Sequence, residues 1–513
     1  MTVGEGGTVP GDEQRAQRQD GPVRAAPSDE RLAQLRDGLR PMLAEFLPRQ
    51  RWFAGDRAVE EVTIRSLDVC REDPLLLWLV LDVGLVERPD HTDQADPQAD
   101  ALDHMATYQL LVAGRPADVD EKFLRGKERV TLGVLDGLML YDALVDPMLA
   151  LDVLAVVAPD ERAEVARPLV VEQSNSSVVY DERLILKLFR RLHPEPNPDV
   201  EITRVLGDRG FPHVVTQRAE LRRDGVDLAV VRDYLLGATD GWQLAHTSLR
   251  DLLGSRLPPE ETGGDFAADA ETLGAVTAAL HVELAAAFGT HPAEPTAWRD
   301  TMRAQAARMP GAGLDRDAIT AALDHALKPF VGVTLSDASG GGNDQPSGHI
   351  SPQNDSVDAV VGSAIRIHGD LHLGQFLRSD SGWFVLDFEG EPARPVSERM
   401  VRSSPLQDAA GMMRSFHYAA RTGLAERGRD VDAELVKLTE AWEERLREAF
   451  WRGYQSVPEV APLLPADDAR RQRLVRAFEL DKAVYEVIYE SKHRPSWVDI
   501  PASAIQRMLP PKV

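Results

Sequence analysis

A chain of 513 residues is too long for one hydrophobic core and implies two or three domains, for which 43% hydrophobic residues supply ample material. A formal charge of −25 argues against a nucleic-acid surface, although an acidic protein still binds nucleotides where Mg²⁺ and a few placed cations neutralise the phosphates. The single cysteine, Cys70, excludes an intramolecular disulfide, and no apolar run reaches the length of a membrane span or a signal core, so no membrane partner and a cytoplasmic location are expected.

Residues 1–28 are rich in Gly, Pro, Gln, Arg and acids and are expected to be disordered. The spacing of Leu32, Leu35, Leu39, Leu43 and Phe46 then predicts a helix, with Ser28 placed to cap it. The segment Gln50-Arg51-Trp52-Phe53-Ala54-Gly55 is either a structural clamp or a stacking surface, the clamp favoured because exposed recognition needs more partners. Apolar runs at 62–67, 75–83 and 107–112 predict strands of a small N-terminal domain, with a polar loop over 87–103. A buried strand-to-helix passage is expected over 138–144.

Two strands are predicted around the small-polar turn Ser174-Asn175-Ser176-Ser177, followed by a reversal at Asp181-Glu182 and a strand carrying Lys187. Lys187 alternates with Leu186 and Leu188, so it either snorkels to an edge or has a use for its charge. Backbone amides and hydroxyls of the small-polar turn can hold phosphates beside it. Asn197-Pro198 starts a helix whose first turn holds Glu201, a residue suited to the helix dipole and equally to pairing with Lys187. A strand at 228–231 runs into a glycine-containing connector, 232–242, of the kind that hinges two lobes. Helical stripes at Leu273, Val276, Leu280, Leu284 and Phe288, and at Leu435, Leu438, Trp442, Leu446 and Phe450, are core faces. Residues 334–362 are a polar insertion.

The stretch 367–375 and the apolar run 383–389 carry the chemistry. Strands are predicted over 363–367 and 383–387 with a loop between them. Asp370 in that loop can accept the proton of an attacking hydroxyl, while Gln375 and Asp387 offer neutral and charged oxygens to Mg²⁺. His368 and His372 lack a third ligand for zinc, and Ser404 and Ser415 lack a nucleophile elbow.

His368-Gly369-Asp370-Leu371-His372 resembles the catalytic loop of aminoglycoside-phosphotransferase-like kinases, and Asp387-Phe388-Glu389 is similar to their metal segment. Gln50 to Gly55, Glu172 to Ser177, Asp387 to Pro392 running on to Asp408, and Asp481 to Glu486 through Trp497 resemble the bacterial maltokinases. The resemblance implies an α+β, bilobal protein-kinase-like fold. It comprises a tail at 1–28, a β-rich cap at 29–118, an intermediate subdomain completing the N-lobe at 119–236 and a helical C-lobe at 237–513. The implied activity transfers the ATP γ-phosphate to the anomeric hydroxyl of maltose, giving maltose 1-phosphate for α-glucan and glycogen synthesis.

By the same resemblance Asp370 is the base, Gln375 and Asp387 hold magnesium, and Ser174, Asn175, Ser176 and Ser177 with Lys187 and Glu201 position the nucleotide. His372, Glu389, Tyr485, Glu486, Arg494 and Trp497 are sugar-contact candidates, although Trp497 also suits a core plug. A sister group with the same cap phosphorylates glucosamine, whose ammonium needs a carboxylate such as Glu486, Glu490 or Asp408. A third reading is a catalytically silent partner of a trehalose synthase.

Overall fold

The computed structural model describes residues 29–53, 57–87, 104–118, 124–169, 175–311, 313–331, 361–391 and 396–509. The expected tail at 1–28 with its Ser28 cap, the polar loop beyond Glu87, nearly all of the 334–362 insertion, and Ser174 lie outside these residues. The chain divides into two compact units, Met1–Asp142 and Ala143–Val513. No helix among the described residues is long and apolar enough to cross a membrane.

The first unit holds helix α1 (Asp29–Phe46) and strands β1 (Arg57–Glu72), β2 (Leu75–Glu87), β3 (Met105–Pro116), β4 (Thr131–Leu135) and β5 (Leu138–Asp142). The strands pair antiparallel in the order β1-β2-β3-β5-β4. Period-two alternation sends Leu75, Leu77, Leu79, Leu81 and Val83 of β2 into one core with Leu39, Leu43 and Phe46 of α1. The Arg-aromatic segment is a clamp in its described part. The Gln50 amide donates to the Phe46 and Arg129 carbonyls, and Phe53 packs 5.2 Å from the Tyr108 ring. Whereas the sequence puts the cap boundary at 118, the first unit runs to Asp142, because β5 pairs with β3 and carries β4 with it.

In the second unit, helix α2 (Pro147–Val157) precedes β6 (Ala166–Pro168), β7 (Asn175–Tyr180), β8 (Leu184–Phe189), helix α3 (Pro198–Asp208), β9 (Gln217–Arg223) and β10 (Val226–Asp233). These strands form an antiparallel sheet in the order β9-β10-β8-β7-β6. The reversal at Asp181-Glu182 has both residues at positive φ. Asn175, Ser176 and Ser177 lie on β7, not in a turn. Their register with Phe189, Leu188 and Lys187 continues that of Val178 and Val179, so the backbone ladder carries through the small polar residues.

The remainder is mainly helical. A short strand β11 (Thr239–Asp240) leads into α4 (Gly241–Ser255), followed by α5 (Ala267–Phe288), α6 (Pro295–Arg308) and α7 (Arg316–Leu327). The hairpin β12 (Phe376–Ser379) and β13 (Gly382–Val385) precedes α8 (Leu406–Arg427), α9 (Ala433–Gln455), α10 (Asp468–His493) and α11 (Asp499–Met508). The strand expected at 363–367 shortens to Ser363–Ala364, and that at 383–387 stops at Val385, before Asp387 turns to a φ of 63°. Helices α5 and α9 cross closely: a Cβ at Gly274 would stand 2.0 Å from the Phe450 carbonyl oxygen.

Candidate active site

The site forms where β8, α3, the loop 367–375, the segment after β13 and two C-terminal helices converge. Lys187 leaves β8 beside Ser177 of β7, and its ammonium meets three carboxylates. Glu389 lies at 2.7 Å, Asp387 at 3.1 Å and Asp199 at 3.3 Å. Burial opposes the Lys187 charge, but Asp387, Glu389 and Asp199 outweigh it and hold the ammonium well above the ordinary lysine range. Glu389 moves the other way. Its burial, with Asp387 and Asp199 nearby, raises its carboxyl despite Lys187.

The acid from α3 is Asp199, not Glu201. Asn197 caps α3, accepting from the Asp199 and Val200 amides, and Asp199 falls on the buried stripe with Ile202, Thr203 and Leu206. Glu201 points elsewhere, 3.6 Å from Arg366. Asp199 also accepts from Arg232 at 3.0 Å and from the Phe388 amide at 3.2 Å. Burial opposes its ionisation, but Arg232 and Lys187 prevail and hold it well below the usual carboxylate range. The spacing of residues 199, 202, 203 and 206 in the sequence was the signal that identifies this acid.

The loop carrying Asp370 is fixed from beneath. Asp408 of α8 is buried, and its two oxygens accept from the His368 and Gly369 amides at 2.8 and 2.9 Å. His281 of α5 stands 3.1 Å from the same carboxylate, with the Tyr454 hydroxyl at 2.8 Å on its other nitrogen. Asp408 is therefore a loop anchor and not a carboxylate open to a substrate ammonium. Burial pushes its carboxyl up, but the hydrogen bond and charge of His281, aided by the Gly369 amide, bring it below the ordinary value. The α8 backbone comes close here: a Cβ at Gly411 would meet the Leu371 carbonyl oxygen at 2.5 Å.

Asp370 itself accepts from the Lys482 ammonium of α10 at 2.8 Å, and Lys482 bonds Glu391 at 2.6 Å. Asp370, Lys482 and Glu391 line a pocket together with Gly369, Asp408 and Gly411. Burial works against the Asp370 charge, but Lys482 and His372 hold its carboxyl below the ordinary range. His372 takes the Gly374 amide on one nitrogen, with the Gln375 amide 3.3 Å from the other, and burial keeps its pKa low. Lys482 and Glu391 fall within the stretches 481–486 and 387–392 of the family resemblance, where residue type alone does not mark them.

Asp387 and Gln375 suit a hard divalent cation. The Gln375 amide nitrogen lies 3.5 Å from Asp387 Oδ2, and 43% of the Asp387 side chain is open to solvent, so Asp387 offers carboxylate oxygen at an accessible edge with the Gln375 side chain beside it. Asp199, Asp387 and Glu389 also bring carboxylate oxygens within 4.8 Å of one another. On β7 the Asn175 amide donates to Glu389 at 3.1 Å, and the Ser176 hydroxyl accepts from Arg190 at 2.7 Å.

The C-terminal candidates lie along α10 and just beyond it, with Glu486 and Glu490 bonded across to α8. Tyr485 lies under Lys482, with the ammonium 4.6 Å from the ring centre. Glu486 pairs with Arg414 at 2.5 Å. Glu490 takes the Tyr418 hydroxyl and the Arg494 guanidinium, both at 2.6 Å. Trp497 stacks on Tyr418 at 6.0 Å, with the Arg494 guanidinium 4.7 Å above its ring. Its indole is thus engaged by neighbouring side chains.

Comparison with known proteins places this arrangement among relatives. Residues 46–146 match the family model described as the maltokinase N-terminal cap domain. A glucosamine kinase of Streptacidiphilus jiangxiensis is 30% identical over 358 residues, which span 68% of this chain and 74% of that protein. A glucosamine kinase of Mycolicibacterium smegmatis is 28% identical over 368 residues, 67% of this chain and 79% of that one. Among solved structures, a glucosamine kinase in complex with glucosamine, ADP and inorganic phosphate superposes with a TM-score of 0.59 at 23% identity. The match covers 92% of this chain and 99% of that one. A second crystal form of glucosamine kinase gives 0.60 at 23% identity, covering 91% and 99%. These two likenesses establish a shared fold.

Proposed function

The chain belongs to the maltokinase-like family of sugar kinases, and we propose that it transfers the γ-phosphoryl group of ATP to a hydroxyl of glucosamine. The observation that carries the kinase chemistry is the convergence of Lys187, Asp199 and Asp387 beside a separately anchored Asp370. Phosphoryl transfer asks the protein mainly for positioning and charge neutralisation, and each of these residues answers one need.

Asp370 takes the proton of the acceptor hydroxyl as its oxygen bonds to phosphorus and the bond to the ADP oxygen breaks. Asp408 fixes the backbone on which Asp370 stands, through the two loop amides. Lys187 is oriented by Asp199, itself held by Arg232, and meets the nucleotide phosphates. Asp387 and Gln375 would hold Mg²⁺, which when bound neutralises phosphate charge. Asn175, Ser176 and Ser177 sit on the strand beside Lys187 and frame the phosphate end of the nucleotide.

Glucosamine is favoured as acceptor by the names of both relatives, which span about two thirds of this chain. Maltose, phosphorylated at its anomeric hydroxyl, is the second reading, supported by the maltokinase cap over residues 46–146. Parallel ATP-consumption assays with the two sugars separate them. Glucosamine is expected to drive ADP formation at the lower concentration; turnover with maltose alone overturns the amino-sugar reading in favour of a maltose 1-kinase.

A further inference from the structure

Resting on the kinase reading, we propose that Lys482 is a positioning residue that occupies one oxygen of Asp370 and leaves the other to receive the acceptor proton. The ammonium sits 2.8 Å from Asp370 Oδ1. Among the described residues Asp370 Oδ2 accepts no hydrogen bond from a side chain or the backbone. A carboxylate with both oxygens free rotates about its Cβ–Cγ bond and presents either one. Fixing Oδ1 selects the orientation in which Oδ2 meets the acceptor, and orientation of this kind governs the rate of proton transfer.

Lys482 is in turn held from two sides. Glu391 takes its ammonium at 2.6 Å, and the Tyr485 ring, one helical turn along α10, lies 4.6 Å away. A lysine is compact and rotatable, and with a single partner its ammonium would swing; the second carboxylate removes that freedom. The arrangement ties three pieces of chain together. Asp370 comes from the catalytic loop, Glu391 follows the metal segment, and Lys482 belongs to the helix whose next turns carry Glu486 and Glu490. Placement of the base thus depends on the same helix that carries Glu486 and Glu490.

Electrostatics agrees with the geometry. Against the cost of burial, Lys482 is the leading influence holding the Asp370 carboxyl below its ordinary value, and Asp370 is the leading influence keeping Lys482 charged. The other titratable groups facing Asp370 are His368 and His372 of its own loop and Arg399. Glu391 faces Lys482, and Asp408 and Asp481 line the same pocket.

The test compares wild-type protein with Lys482→Met and Lys482→Arg. The Met variant is expected to lose about 100-fold in kcat, the lower end of the range for general base catalysis, while binding nucleotide as wild type does. Its acid limb in kcat/KM moves to higher pH, because the cation that favours the Asp370 carboxylate is gone. The Arg variant restores the wild-type limb and part of the rate. Carbon-13 NMR of aspartate-labelled protein, with the Asp370 signal assigned by Asp370→Asn, reads the same carboxyl without turnover. Its midpoint rises in the Met variant and returns in the Arg variant. An unshifted carboxyl in a folded Met variant, or wild-type kcat in that variant, overturns the proposal. If the Met variant fails to fold, an Arg variant with wild-type rate but a displaced limb overturns it. A wild-type protein that turns over no sugar contradicts the kinase reading instead, and the NMR titration still decides the role of Lys482.

Discussion

Asp199 shows how much one residue's direction decides. It ties Lys187 to Arg232 inside the protein, and its removal leaves two cations short of a partner. Asp199→Asn is expected to destabilise the fold by about 3 kcal/mol, since breaking one member of a buried charge network costs more than the network contributes. Urea unfolding of the nucleotide-free protein measures it, and an unchanged midpoint contradicts the assignment. Glu201→Gln, by contrast, should leave nucleotide affinity near wild type, because Glu201 faces Arg366 and not Lys187. Asp370, Gln375 and Asp387 stand out as candidates in the sequence because loop and strand context restricts what an acid or amide can do there. The α3 acid is ambiguous in the sequence because a first-turn glutamate also suits the helix dipole, and only the buried stripe through residues 199, 202, 203 and 206 favours Asp199. Lys482 gave no clear signal, since a lysine among aromatic and acidic residues on a helix also reads as a solvated face.

At the scale of elements, the site depends on close backbone approaches that tolerate no side chain. Gly411 puts α8 against the loop that carries Asp370, where an added Cβ would lie 2.5 Å from the Leu371 oxygen. Gly411→Ala should therefore displace the loop and lower kcat at least tenfold with modest loss of stability. Gly274→Ala, at the α5–α9 crossing, should instead cost stability, on the order of 1–3 kcal/mol for overpacking, and spare kcat in the folded fraction. Thermal melts and initial rates on both variants distinguish the two outcomes. The helices themselves were readable from their stripes, and β1 to β3 from their apolar runs. Strand edges and the unit boundary were not. Asn175 to Ser177 look like a turn in isolation and become strand only through pairing with β8, and β4 and β5 join the first unit only through β3. Pairing across distance leaves little trace in local composition.

For the whole molecule, acid should weaken the fold through buried His417. Burial lowers His417 of α8 to about 4, with Glu443 opposing and Arg414 reinforcing the shift. The folded state thus binds this proton less readily than the unfolded chain. Stability is present above the ordinary histidine value and is lost as pH falls toward 4. His417→Gln should flatten the fall in melting temperature between about pH 6.5 and 4; a parallel fall in both proteins contradicts it. The central claim is that this chain is a sugar kinase whose base is Asp370. Phosphorus-31 NMR of ATP, Mg²⁺ and glucosamine or maltose with wild-type protein and Asp370→Asn tests it most directly. The expected result is ADP and a sugar monophosphate in equal amounts with wild type, and a rate lower by roughly two to four orders of magnitude in the variant. No sugar phosphate from either acceptor, or equal rates in the two proteins, would contradict it.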